Sequence, residues 1–458
     1  MKPPTAVAAE VDDAALAAPQ RRLAAYEPVA TLAPPAAVPA IATVPSSRAP
    51  AARAPGAAGS EATARILPRR RSAKRPEFLL FSPPAIGDEE IQEVVHTLRS
   101  GWITTGPKTK RFEEEFRARL GAPAALALNS CTAGLHTALV ALKLGPGDEV
   151  ITTVMTFCAS VNVIEHAGAT PVLVDVEADT LNLDPAAVEA AITPRTRAII
   201  AVHFAGHPVA LDPLEELVAA HKLVLIEDAA HALPARYKGR WIGSGPNPVA
   251  FSFYATKNLT TGEGGMLTGA PDLIARGRSL SLHGMSRDSW NRYGRGGSWY
   301  YEVEEAGYKY NMSDIQAALG LAQLRKLNGF QARRREIVEA YNAAFHELTP
   351  LEIPRERPDV EHAWHLYVLR LRLEALRISR AQFIDELAAR NIGTSVHFIP
   401  IHLHPFYKRR YGYRSGQFPV AYGNYRRTVS LPLHPRLSDQ DVSAVILAVS
   451  DVVERFKR

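Results

Sequence analysis

From Glu89 onward the chain alternates between apolar residues at helical spacing and short unbroken apolar runs. Ile91, Val94, Val95 and Leu98 recur every three or four positions and stop at Ser100-Gly101, which predicts a helix. A second follows through Phe112, Phe116 and Leu120. Ala124–Leu128, Val150–Thr153, Pro171–Val174, Ala198–His203 and Leu223–Ile226 read as strands. Between them lie the helical stretches Ala133–Leu144, Ala186–Ala191 and Pro213–Ala220. Nearly continuous apolar strands alternating with helices predict an α/β fold, a mostly parallel sheet sandwiched by helices. In such sheets ligands sit beyond the carboxyl ends of the strands.

After Gly320 the texture changes. A long helix runs from Ile315 to Leu327 and on toward Phe345. A strand at His365–Leu371, a helix at Ala381–Arg390 and a closing helix from Asp439 follow. The expected organisation is a large domain over residues 76–330 and a smaller C-terminal α+β domain over 331–458.

Residues 1–75 are rich in Ala and Pro and nearly without aromatics, which predicts a disordered leader. The leader also accounts for the charge. The net charge is +6, and the leader holds eleven Lys and Arg against five Asp and Glu, so the rest is balanced. A basic nucleic-acid face is therefore not expected on the folded part. The run Arg69-Arg70-Arg71-Ser72-Ala73-Lys74-Arg75 could touch phosphates or acidic lipids, or be a solvated tail. No apolar run is long enough to span a bilayer, and the Met1 end shows no secretory pattern. Cys131 and Cys158 are the only cysteines, too few for a disulfide scaffold, which favours a cytoplasmic location.

Four loops at strand ends carry candidate chemistry. Asn129-Ser130-Cys131-Thr132-Ala133-Gly134 joins a strand to a helix; its small residues suit either an anion at the helix N-terminus or an ordinary N-cap. Thr156-Phe157-Cys158-Ala159-Ser160 offers an aromatic ring for stacking, although such a phenylalanine also serves as core. Leu225-Ile226-Glu227-Asp228-Ala229-Ala230-His231-Ala232 ends an apolar strand in two carboxylates. One could hold a protonated ring nitrogen, or Asp228 could cap a helix; His231 could be a ligand or a core histidine. Val249–Asn258 delivers Ser252 and Lys257 into a Gly-rich turn. Burial lowers a lysine's pKa, and the neutral amine is the nucleophile. Together these are the parts of a pyridoxal phosphate site: anion cradle, stacking ring, carboxylate and imine-forming lysine.

At these motifs the chain resembles the DegT/DnrJ/EryC1/StrS family of sugar aminotransferases, within the fold-type I pyridoxal-phosphate enzymes. The resemblance runs from about Phe78 to the end. It rests on Trp102-Ile103-Thr104-Thr105-Gly106-Pro107, Leu144-Gly145-Pro146-Gly147-Asp148-Glu149-Val150-Ile151, Glu227-Asp228-Ala229-Ala230-His231-Ala232, Phe251–Asn258 and Gly307–Asp314.

The resemblance implies that Lys257 forms the imine with pyridoxal 5'-phosphate and that Asp228 pairs with its ring nitrogen. Phe157 would stack on the ring and His231 sit beside it. Thr132, Ala133 and Ser252 would hold the cofactor's phosphate, and Asn311 would reach the phosphate in the neighbouring subunit of a homodimer. Family substrates are nucleotide-linked keto-sugars, with glutamate or glutamine as amino donor. An insertion over residues 282–301 is similar to that of members acting on 4-keto-6-deoxy sugars in polysaccharide or lipid A pathways. Val396–Pro405 contains His397, His402 and His404; the resemblance favours substrate contact over a metal, with Thr104, His397 and His402 as substrate residues. Members that dehydrate sugars carry histidine in place of the lysine, so Lys257 favours transamination. The alternatives are a non-transaminating enzyme of the dehydratase kind and a catalytically silent cofactor-binding regulator.

Overall fold

The structure is a computed structural model that describes residues 74–286 and 300–458. The leader, apart from Lys74 and Arg75, and most of the 282–301 insertion lie outside the described residues. The described residues form one compact unit.

The chain enters through helices α1 (Asp88–Ser100) and α2 (Pro107–Leu120), each stopped by a glycine in the left-handed region, Gly101 and Gly121. The main sheet then builds from β1 (Ala124–Leu128), β2 (Glu149–Thr153), β3 (Thr170–Val174), β4 (Thr196–Val202) and β5 (Val224–Asp228). Interleaved with these are α3 (Cys131–Ala141), α4 (Ala159–His166), α5 (Pro185–Ala191) and α6 (Leu211–His221). A small sheet contains β6 (Arg236–Tyr237) and β7 (Arg240–Trp241). The main sheet is completed by β8 (Val249–Ser252) and β9 (Gly265–Gly269), followed by α7 (Pro271–Leu280).

Seven strands pair in the order β1-β9-β8-β5-β4-β2-β3. From β8 through β5, β4, β2 and β3 every pairing is parallel, while β9 runs antiparallel to both its neighbours. β1 therefore points the same way as the parallel set. Its central strands read as continuous apolar runs because helices cover both faces. Two apolar clusters pack there. Phe112, Phe116, Phe251 and Phe253 anchor one, and Leu135, Leu139, Ile200 and Ile226 the other.

Helix α8 (Asp314–Phe345) opens with a capping box, Ser313 and Gln316, and runs 32 residues without a break. Its first half packs on α1 and α2, and its second half enters a separate cluster with Tyr341 and Phe345. That cluster covers a three-stranded sheet of β10 (Leu351–Glu352), β12 (Tyr367–Leu371) and β13 (Thr428–Leu431). The remaining elements are β11 (Val360–Glu361), α9 (Arg380–Ala389), α10 (Pro405–Tyr411), α11 (Pro419–Tyr425) and α12 (Asp439–Phe456). Strand β11 reaches back to pair with β6.

Strand β9 was not expected from the sequence. Gly265 read as the end of a Gly-rich turn, and only the pairing of Gly265–Gly269 with β1 and β8 makes it strand. Strand β5 also extends past Ile226, so Glu227 and Asp228 belong to the ladder itself.

Candidate active site

The loops after β1, β2, β5 and β8 leave the sheet by one edge and enclose a cavity of about 480 Å³. Asp228 and Lys257 both line it. The strand pleat decides which carboxylate of β5 faces it, because successive side chains point to opposite faces. Glu227 turns the other way, where its Oε2 meets His203 Nε2 at 3.0 Å and its Oε1 accepts from Asn247 Nδ2 at 3.4 Å. Asp228 turns inward. Its Oδ1 accepts the Ala230 N–H at 3.0 Å and its Oδ2 the Ser160 hydroxyl at 2.7 Å. It is a buried carboxylate satisfied by the chain around it.

Lys257 follows β8 through a turn closed by its own N–H on the Tyr254 carbonyl, 2.9 Å. Burial brings its pKa down to about 8, although Cys131 and Asp228 pull the other way. The next residue, Asn258, anchors the turn. Its Nδ2 donates to the Ala363 carbonyl at 2.7 Å and its Oδ1 lies 3.2 Å from His365 Nδ1. A far larger share of neutral amine than a solvated lysine holds at neutral pH follows, and nucleophilic and proton-transfer chemistry need that form.

At the mouth, Phe157 is 59% exposed with its ring 6.0 Å from that of Phe398. It is not a core residue. Ser130 is the N-cap of α3, accepting the Ala133 N–H at 3.0 Å, which leaves the Thr132 hydroxyl and the α3 N-terminus facing the cavity. Ser252 stands opposite in the same wall.

Three imidazoles complete the wall: His231, His365 and His397. His231 lies between Phe398, stacked at 5.7 Å, and His365 at 4.4 Å. Burial keeps His231 and His365 well below the usual histidine range, and His397 is brought down to about 4. His397 Nδ1 is 2.9 Å from Ser430 Oγ, whereas His231 Nδ1 is buried with no hydrogen-bond partner.

The chain matches the DegT/DnrJ/EryC1/StrS aminotransferase family over residues 84–450. The chain belongs to this family. It is similar to the spore coat polysaccharide biosynthesis protein SpsC of Bacillus subtilis, with 53% identity over 383 residues, 83% of this chain and 98% of that protein. Among solved structures it is similar to the putative sugar aminotransferase Spr1654 of Streptococcus pneumoniae in its PMP form, with 39% identity and TM-score 0.77. That match covers 82% of this chain and 99% of the other. It also resembles Helicobacter pylori PseC, an aminotransferase involved in pseudoaminic acid biosynthesis. There the identity is 28% and the TM-score 0.77, over 83% of this chain and all of PseC (100%).

The aminotransferase has the fold-type I architecture, and its cofactor is pyridoxal phosphate. The cavity fits that group on its own evidence. It offers a buried amine of lowered pKa, an inward carboxylate, hydroxyls beside a helix N-terminus and the unpartnered His231 Nδ1.

Not every residue singled out from the sequence reaches this cavity. Ala133 is buried behind Ser130, and its N–H is already used by the cap. Thr104 is exposed and away from the lining, with its carbonyl accepting the Asp314 N–H at 3.0 Å. His402 is buried against Phe418, its Nε2 2.9 Å from the Ser415 carbonyl. Asn311 forms a bridge to Leu128 and donates to Thr105 Oγ1 at 2.6 Å. It lines a second cavity of about 480 Å³ between α2 and α7. Conversely, sequence reasoning missed His365, Phe398 and Ser160. Ser160 and Phe398 lay inside quoted segments, Thr156–Ser160 and Val396–Pro405, without being singled out; His365 and Phe398 come from the C-terminal part of the chain and join the site through tertiary packing. Among the described residues no group of His, Cys, Asp and Glu is arranged to hold a metal ion, and no helix is long and apolar enough to cross a membrane.

Proposed function

We propose that the aminotransferase moves an amino group from glutamate or glutamine to a nucleotide-linked keto-sugar, a 4-keto-6-deoxy sugar, for polysaccharide or glycolipid biosynthesis. The observation that carries the transamination reading is Lys257, a buried amine with a pKa of about 8, sharing one cavity with Asp228. The names of SpsC and PseC, which point to polysaccharide and amino-sugar biosynthesis, support the substrate class.

When bound, pyridoxal phosphate supplies an electron sink for the donor's α-carbon and carries the nitrogen between the two half-reactions. Lys257 Nζ is the group that anchors it, then takes the proton from the donor's α-carbon and later delivers one to the sugar carbon that receives nitrogen. Asp228, inward in the cavity, would hold the positive charge on the ring nitrogen. Phe157, at the cavity mouth, would cover a face of the ring, and His231, in the wall with its Nδ1 unpartnered, would sit beside it. Thr132 and Ser252 bind the phosphate with the α3 N-terminus, where the helix dipole favours an anion. Of Thr104, His397 and His402, the residues the resemblance gave to the sugar side, His397 is in the cavity wall and is the one assigned to the sugar here. Asn311 acts on the neighbouring subunit's phosphate, so the working unit is a homodimer; its place outside its own chain's cavity supports this.

Purified enzyme should absorb in the visible through the Lys257 linkage and bleach with glutamate or glutamine. A panel of UDP-, GDP- and dTDP-linked keto-sugars with ¹⁵N-labelled donor identifies the acceptor. An absorbance indifferent to both donors would sink the transaminase reading.

A further inference from the structure

Two hydroxyls stand in line behind Asp228. Its Oδ2 accepts from Ser160 Oγ at 2.7 Å, and Ser160 Oγ lies 2.8 Å from Thr156 Oγ1. All three residues are buried, Ser160 completely. A serine hydroxyl has one proton, so once that proton is spent on Asp228 only lone pairs remain for Thr156, and Thr156 must be the donor. The Phe157 carbonyl competes for the same proton at 3.4 Å, but a neutral acceptor at that distance yields to a carboxylate at 2.7 Å. The polarity is therefore Thr156 to Ser160 to Asp228, an order in which each bond strengthens the next. The other carboxylate oxygen is engaged by the Ala230 N–H at 3.0 Å and faces Cys131 Sγ at 3.8 Å. Thr156 comes from the loop after β2 and Ser160 from the first turn of α4, so the chain ties two further elements to the end of β5.

We propose that Ser160, backed by Thr156, is the positioning residue that sets the Asp228 carboxylate for the ring nitrogen of the cofactor. The proposal rests on the assignment of Asp228 to that nitrogen. Donors aimed at a carboxylate favour its ionised form and fix its plane. A carboxylate so occupied is a weak competitor for the shared proton, which then stays on the ring nitrogen, where its charge draws electrons. Without the serine hydroxyl, the proton shifts toward the carboxylate and the ring loses electron demand. Ser160 does not line the cavity and acts on it only through Asp228.

The test uses holoenzyme loaded with cofactor carrying ¹⁵N in the ring. The ring-nitrogen resonance is followed with pH in wild type, Ser160→Ala, Ser160→Thr and Asp228→Asn. Ser160→Ala should move the resonance toward the unprotonated position and lower kcat about ten-fold, roughly the weight of one charge-assisted hydrogen bond, with KM nearly unchanged. Ser160→Thr, which keeps the hydroxyl, should return the resonance toward wild type. If Asp228→Asn moves it and Ser160→Ala does not, the Ser160 proposal alone is overturned. If Asp228→Asn leaves it in place, the Asp228 assignment fails and the proposal with it. Should Ser160→Ala not fold, Thr156→Val removes only the outer donor. A smaller shift in the same direction is expected, and an unmoved resonance overturns the proposal.

Discussion

The rings of His231 and His365 lie 4.4 Å apart, centroid to centroid, with their planes tilted by 39°. Burial keeps both imidazoles uncharged, the Lys257 ammonium disfavours the protonation of each, and His231 adds to the effect on His365. The pair joins a histidine from the loop after β5 to one just before β12, and so ties the two sheets together at the cavity.

A pH dependence of stability follows. These histidines and His397 have folded pKa values below the unfolded value, so below about pH 6.5 the unfolded chain binds more protons. Stability is therefore full above that pH and falls as pH drops, by about 1.4 kcal/mol per pH unit for each histidine. Denaturant midpoints measured between pH 7 and 5 should show the decline, and His397→Gln should make it shallower. An unchanged slope in that variant would remove His397 from the set.

Lys257 has the same sign with a different window. Its pKa falls from 10.5 to about 8 on folding, so the cofactor-free protein gains stability as pH rises between those values. The full gain is about 3 kcal/mol. Lys257→Met should abolish the rise, and Lys257→Ala should lose the visible absorbance and turnover together. Unfolding of the apoprotein at pH 7 and pH 10 checks the first outcome; retained turnover in Lys257→Ala would remove the lysine from its role.

Gly265 is a packing glycine. A Cβ there would come within 2.6 Å of the Ser130–Cys131 backbone at the start of α3. Gly265→Ala must push β9 off the helix N-terminus that faces the cavity. We expect a loss of about 3 kcal/mol or more and weaker retention of the cofactor, read by thermal unfolding and by dialysis of the holoenzyme. Wild-type retention would show that the cradle tolerates the displacement.

The role of Asn311 across subunits is open to complementation. Lys257→Ala and Asn311→Ala proteins, each inactive or nearly so, should regain activity when mixed and refolded together. In a mixed dimer one site receives an intact Lys257 and a partner's intact Asn311. No recovery, with mixed dimers confirmed by mass, would place Asn311 within its own site or outside catalysis.

Much of this was legible in the sequence because local signals agreed. Helical spacing predicted α1 and α2, with a glycine stop read for α1, and short apolar runs predicted the parallel strands. The end of α8 at Phe345 and the start of α12 at Asp439 also matched. Lys257, Asp228, Phe157, Thr132 and Ser252 could be named because each lies at or just beyond a strand's carboxyl end, and strand ends of a parallel sheet share one edge.

Other features depended on partners that no local pattern announces. Glycine has no strand preference of its own, so β9 exists only because β1 and β8 offer it free backbone groups on both sides. The strand pattern placed two carboxylates at the end of β5 without saying which one faces the cavity, and only the family resemblance named Asp228; the pleat, set by the sheet's register, turns Asp228 inward and Glu227 away. His365 and Phe398 lie more than a hundred residues from Lys257 and were invisible as site residues until packing brought them there. By itself the sequence determined the element types, the edge where chemistry collects and the lysine that defines it. Burial, which lowers the Lys257 pKa and leaves His231 without a partner, belongs to the assembled cavity, because desolvation is a property of everything around a group and not of its neighbours in the chain.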